Sequence, residues 1–353
     1  PSVIIGERYI WLGWTGAGTI SYTGMNNPAS VTMNSPINQT AAWRHEYRLT
    51  MATNFGITSP AVGEHWYEAG TVVPIQAFAP SVIIGERYVW NGWTGTGTIS
   101  YTGTANPSSV TMNGPITETA SWTHQFLLTI KTSGLPSAYP TKVYLGGSQV
   151  GTVSDVSPYT QWFNEGTSTG TIGVDSTVSG ATGTRYIFVK WVEDSSTSNP
   201  RASETMNSPK TFTAEYKTQY YLTVNTDPAG ITTISGAGWY DQGLTATTGT
   251  APTTVTSGSI MYKFTTWKKD GIPVAGNPVS VLMDAPHTAT ACYEKVPTAV
   301  GGYAEFVTEV YSPPSELSFT KVLALITLAF ALIIATTFLK CKNFPSKRTN
   351  NYT

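Results

Sequence analysis

Charge is scarce in this chain. Only 12% of its 353 residues are Asp, Glu, Lys or Arg. Aromatics make up another 12%, so disorder, which needs few aromatics and high charge, is excluded. Basic clusters are missing from the first 320 residues, which hold 15 Lys/Arg against 21 acids, a net −6. Phosphate neutralisation needs Lys or Arg, so nucleic acid is excluded as a partner. Cysteine is nearly absent, and two residues, Cys292 and Cys341, make no disulfide framework. Histidine stops at four: His45, His65, His124 and His287. Before Ser318 no stretch sustains a 3.6-residue apolar period, so no amphipathic helix is expected there. The sequence also lacks His-Glu-x-x-His, Gly-x-Ser-x-Gly, a Walker motif and Asp-Thr-Gly. Its carboxylates form no acid/base pair. Neither a catalytic residue nor a cofactor is expected.

Repetition is what the sequence has instead. Pro1 to Tyr9 reads PSVIIGERY, and the same nine residues return at Pro80 to Tyr88, 79 residues later. Four copies share one set of markers. A Tyr stands five residues before a Trp at Tyr9/Trp14, Tyr88/Trp93, Tyr186/Trp191 and Tyr262/Trp267. Asn-Pro follows at Asn27, Asn106, Asn199 and Asn277. Met-x-x-Pro follows at Met33, Met112, Met206 and Met283, and each copy closes on an aromatic, Trp43, Trp122, Tyr216 or Tyr293. A fixed period of this size marks an array of supersecondary units. The expected units are 1–43, 44–122, 123–216 and 217–293. The first looks cut in mid-repeat. The third is lengthened around Leu135 to Tyr159, where Gly146-Gly147 between apolar alternations predicts an added hairpin.

Within a unit, Tyr47, Leu49 and Met51 alternate with polar residues, which predicts a half-buried strand. Trp66 to Gly70, Trp162 to Gly166 and Trp239 to Gly243 read as turns. Thr123-His124-Gln125 and Lys217-Thr218-Gln219 read as short polar joints that hold neighbouring units at limited angles. The expected fold is therefore all-β, a tandem of small β-repeat modules, followed by one C-terminal transmembrane helix.

That helix is predicted at 319–340. Val322 to Leu339 is 18 residues without a charge, roughly 27 Å as a helix, close to the hydrocarbon thickness of a bilayer. Residues 294–318, with Gly301-Gly302 and Pro313-Pro314, read as a linker or stalk. The tail 341–353 holds Lys342, Lys347 and Arg348 and no acid, which marks the cytoplasmic side. The expected topology is a single-pass cell-membrane protein with the bilayer as a partner through residues 322–339. Its repeats lie outside the cell.

Chemistry outside the core has few candidates. Trp14, Trp93, Trp191 and Trp267 recur at a core position. Trp66, Trp162 and Trp239 sit beside turns and are the candidate ligand-contact aromatics. Gly16-Ala17-Gly18, Gly95-Thr96-Gly97 and Gly236-Ala237-Gly238 lead into no helix, so they are not phosphate loops. His45 and His124 share a joint position and read as solvated, and no metal site is expected. Glu193-Asp194 and Asp270 are loop acids that do not repeat as a calcium site would. Cys292 alternates with Tyr293 and is expected on the polar face of the last strand, open to an intermolecular disulfide. Asn38-Gln39-Thr40 is a sequon for glycosylation.

Five segments together resemble the internalin-B-type B-repeat family of bacterial and archaeal surface proteins: Tyr220 to Val224, Trp239 to Gly243, Tyr262 to Trp267, Met283 to Pro286 and Thr290 to Tyr293. The resemblance covers about residues 1–293. It implies β-grasp-like or sandwich-like modules used as spacers or adhesive surfaces, and no catalytic residues. The leading expectation is a non-catalytic, membrane-anchored stalk, envelope component or adhesin. One alternative is an array that binds cell-envelope glycans or surface proteins. The other is the anchor of a surface enzyme encoded upstream.

Overall fold

The first two strands, β1 (Glu7–Ala17) and β2 (Asn38–Thr53), form an antiparallel hairpin from the first copy. Six more follow: β3 (Ile57–Ser59), β4 (Gly63–Glu68), β5 (Val72–Phe78), β6 (Glu86–Gly97), β7 (Ser108–Thr111) and β8 (Ile116–Ser133). The third copy adds β9 (Thr141–Leu145), β10 (Ser148–Val153), β11 (Tyr159–Asn164), β12 (Ile172–Val174), β13 (Thr177–Ser179), β14 (Thr184–Trp191) and β15 (Lys210–Asp227). The fourth adds β16 (Gly238–Asp241), β17 (Thr245–Thr247), β18 (Thr254–Ser257), β19 (Ile260–Lys269), β20 (Ile272–Val274), β21 (Ser280–Leu282) and β22 (His287–Lys295). The structure, a computed structural model, describes residues 4–297, and every regular element among them is a strand. No helix among them is long and apolar enough to cross a membrane. The predicted helix at 319–340, the tail at 341–353 and nearly all of the 294–318 linker lie outside the described residues.

Three modules repeat one plan. In the second, β2 and β8 run parallel side by side, with β4 antiparallel on the outer edge of β2 and β6 antiparallel on the outer edge of β8. The third repeats this as β11, β8, β15 and β14, and the fourth as β16, β15, β22 and β19. A second, smaller sheet covers one face: β3–β5–β7, β10–β9–β12 and β17–β21. In the third module β9 and β10 pair as a hairpin turned on Gly146 and Gly147, both at positive φ, where glycine costs least.

Three apolar clusters lie between these layers, one per module. The period-two alternation builds them: Leu49, Leu128 and Leu222 are all fully buried on equivalent strands. Trp93, Trp191 and Trp267 are buried at their centres, as are Met112, Met206 and Met283. Each Met also fixes the turn that follows the aromatic strand. Gly70, Gly166 and Gly243 donate their N–H to the carbonyls of Met112, Met206 and Met283 at 2.8–2.9 Å.

The Asn-Pro marker has a structural role as well. Asn106 uses its amide like a strand residue: it donates to the Ala77 carbonyl (2.8 Å) and accepts from the Ala77 N–H (2.9 Å). Asn199 does the same to Val174, and Asn277 to Ala251. Asn is suited to this because it carries one donor group and one acceptor on a planar amide.

The first copy differs. Among the described residues no small sheet covers its β1–β2 hairpin. Trp43 is therefore 44% exposed where Trp122 is 8%, and Met33 is 69% exposed where Met112 is 0%. The same residue types thus carry different energies in the two copies. Trp93→Ala is expected to cost about 3–5 kcal/mol as a large core deletion, and Trp43→Ala less than about 1 kcal/mol. Urea denaturation followed by circular dichroism checks this. Equal losses for the two variants would contradict it.

Candidate functional site

The joints between modules carry the most repeated side-chain chemistry, and they are not linkers. Thr123-His124-Gln125 lies in the middle of the 18-residue strand β8. Lys217-Thr218-Gln219 lies in the middle of β15, also 18 residues long. The last strand of one module continues as the first strand of the next. At Gln125 and Phe126 both edges of β8 are paired, by Arg87 and Glu86 of β6 on one side and Asn164 and Phe163 of β11 on the other. The sequence marks these runs as short polar joints between units, and the structure makes them continuous strand. Here polar side chains occur on a strand whose hydrogen bonds are satisfied by its neighbours.

Three contacts recur at each of the three joints. The first is a backbone bond: Arg48, Leu127 and Tyr221 donate their N–H to the carbonyls of Gly6, Gly85 and Gly183 at 2.8–2.9 Å. The second is a close approach of those glycines to the proline of the next module's Met-x-x-Pro step. A Cβ on Gly6, Gly85 or Gly183 would lie 2.7–2.8 Å from Pro115, Pro209 or Pro286, and all three glycines have positive φ. Only glycine satisfies both demands. The third is a cation–π stack: Arg8 over Trp66 (4.3 Å), Arg87 over Trp162 (4.2 Å) and Arg185 over Trp239 (4.5 Å). Each Arg is steered onto its ring by the residue between them on the long strand. Arg8 Nε donates to Glu46, Arg87 Nε to Gln125 and Arg185 Nε to Gln219 at 2.7–2.8 Å.

The candidate ligand-contact aromatics Trp66, Trp162 and Trp239 thus stand at the joints, each with an arginine over its ring. All three are half-buried, and one module's arginine caps the next module's indole. Sequence reasoning missed the arginines and glycines. The signal was present, since Gly stands three residues before Tyr, and Arg one residue before it, in three copies of four. In the fourth, Met261 replaces Arg and is 49% exposed.

The expectation of solvated joint histidines is corrected. His124 has a side chain only 9% exposed, stacked on Tyr88 at 4.3 Å. Its ring nitrogens meet Glu86 (2.7 Å) and Glu165 (3.0 Å). His45 stacks on Tyr9 and contacts Glu7 at 2.6 Å. The Ile83 N–H first, and then His124, hold the Glu86 carboxyl below the usual carboxylate range. Beside the third joint, next to Pro286, His287 bridges Asp270 (2.6 Å) and Asp284 (2.7 Å). Among the described residues no group of three or more His, Cys, Asp or Glu is placed to hold a metal ion. Glu193 accepts from the Thr213 N–H, and Asp194 pairs with Arg201.

Cys292 is buried, against the expectation of an exposed thiol. It alternates with Tyr293 as expected. Its strand, however, is flanked on both edges, by Asp227 of β15 and Thr266 of β19, and the short side chain stays below their surface. Asn38 is exposed at the start of β2.

One buried carboxyl was unforeseen. Glu118 is fully buried in the second module and Gln39 takes the equivalent place in the first. Gln39 can donate to the Tyr22 carbonyl (2.8 Å) and accept from the Tyr22 N–H (2.9 Å). Glu118 Oε1 accepts from the Tyr101 N–H at 2.6 Å, and its Oε2 has no partner. A protonated carboxyl supplies the donor that an amide supplies. Burial raises the Glu118 pKa to about 7, partly opposed by the Tyr101 N–H.

Compared with protein-family models, with the curated proteins and with the solved structures, the chain matches none.

Glu118 gives a pH test with a definite sign. Between the ordinary carboxyl value of 4.5 and about 7 the folded state holds a proton that the unfolded state releases. Stability therefore falls as pH rises through that window. Glu118→Gln is expected to remove this fall, leaving the variant more stable than the wild type at about pH 8 and similar at about pH 4. Thermal midpoints across that range check it. Parallel pH profiles for the two proteins would contradict it.

Proposed function

We propose that this chain is a non-catalytic spacer of a cell surface, a series of β modules held at fixed angles and carried on a single membrane anchor. The three equivalent joints carry this reading. A flexible tether needs slack, whereas here a shared strand, a glycine–proline contact and an arginine–tryptophan stack recur at every step. Residues 322–339 would supply the anchor, with the repeats outside the cell and the basic tail inside. The resemblance to internalin-B-type repeats agrees with such a use, and the layered modules agree with its sandwich-like form.

The test is a distance measurement across one joint. Spin labels at Ser109 and Gln149, both exposed on neighbouring modules, in a background lacking Cys292 and Cys341, should give a narrow distance distribution. Arg87→Ala with Trp162→Ala should broaden it and lower stability by about 1 kcal/mol, the scale of one partly desolvated cation–π pair. A broad distribution in the unmutated chain would overturn the spacer reading.

A further inference from the structure

The three joints are built alike, and the last of them leaves an open groove of about 470 Å³. Tyr221, Trp239 and Pro286 give it apolar walls, and Thr182, Thr223 and Thr288 line it with hydroxyls. Several lining positions vary between joints, Thr182 standing where Ile5 and Ile84 do and His287 where Ile116 and Lys210 do, and one of them is the residue whose N–H bonds the joint glycine. At the first joint it is Arg48, which reaches Glu64 at 2.7 Å. At the second it is the aliphatic Leu127, packed 3.7 Å from the Cβ position of Gly85. At the third it is Tyr221, whose ring meets Trp239 edge to face at 5.2 Å. His287, also in the lining, is held by Asp270 and Asp284.

We propose that this groove binds a neutral, extended oligosaccharide. Sugars present C–H faces that pack on aromatic rings, and hydroxyls that both donate and accept. The walls offer the first complement, and the three threonines, each donor and acceptor at once, offer the second. Asp284, 65% exposed at the rim beside His287, adds acceptor capacity. No Lys or Arg lines the groove, so an acidic polymer gains nothing there. Its openness suits a segment of a longer chain, since an isolated small molecule is normally enclosed over most of its surface. Arg185 covers Trp239 from the opposite module, which keeps the ring pre-set for a ligand.

Isothermal titration of the full chain in detergent with cellohexaose, mannohexaose and chitohexaose tests this, with decaproline as the competing ligand class. At least one hexasaccharide is expected to bind. Tyr221→Leu installs the residue of the second joint, so the fold should tolerate it, and binding should weaken about tenfold. Tyr221→Arg installs the residue of the first joint and should abolish binding. Leu127→Tyr, at the neighbouring joint, should leave binding at Tyr221 unchanged. No binding to any of the three sugars, binding indifferent to Tyr221→Leu, or binding of decaproline alone would each overturn the proposal. The spin-label distances read joint rigidity separately, so failure here is distinguishable from failure of the spacer reading.

Discussion

Backbone hydrogen bonding on both edges of a shared strand is the constraint on which the rest of this structure depends. β8 belongs to two modules at once, and so does β15. Along β8, β2 lies on one edge early and β11 later, while β6 and then β15 occupy the other edge. The handover takes place at Gln125 and Phe126, where β6 and β11 overlap. A bend there would break bonds on both sides. Each buried backbone group left unpaired costs on the order of 1–3 kcal/mol, so the joint resists bending more than any single side-chain contact could make it.

The side chains refine that constraint. Arg8, Arg87 and Arg185 are each placed by strand pairing opposite a polar residue of the long strand and then over an indole on its far side. The glycines at 6, 85 and 183 let the following module's proline approach. These contacts are individually small, about 0.5–1 kcal/mol for a partly exposed cation–π pair. They set the angle between modules that the ladder already holds together. Variation at one position, Arg48, Leu127 or Tyr221, leaves the ladder intact while changing the surface beside it. One scaffold can thereby differ in what each joint offers to solvent.

Much of the module was legible in the sequence. The alternation at Leu49 and Met51 and the recurrence of Trp93 and Met112 mark the core face, which is buried where a small sheet covers it and exposed at Met33, where none does among the described residues. The joints were not legible. Thr123-His124-Gln125 is polar, and nothing local shows that β6 and β11 pair with it from about 40 residues away on either side. His124 looked solvated because its partners, Glu86 and Glu165, are equally remote. Trp162 looked exposed because Arg87 reaches it only through Gln125. Cys292 shows a related limit: alternation gives the face but not the height of the neighbours around a small side chain. Glu118 was passed over because a lone carboxylate in a Thr-rich strand resembles a solvated one.

Amide hydrogen exchange along β8 tests the central claim most directly. If β8 is one strand through the joint, the amides of Thr123, His124 and Gln125 should be protected to the same degree as those of Leu128 and Ile130 in the core of the third module. Fast exchange at Thr123 to Gln125, flanked by slow exchange on either side, would show a hinge and contradict the account.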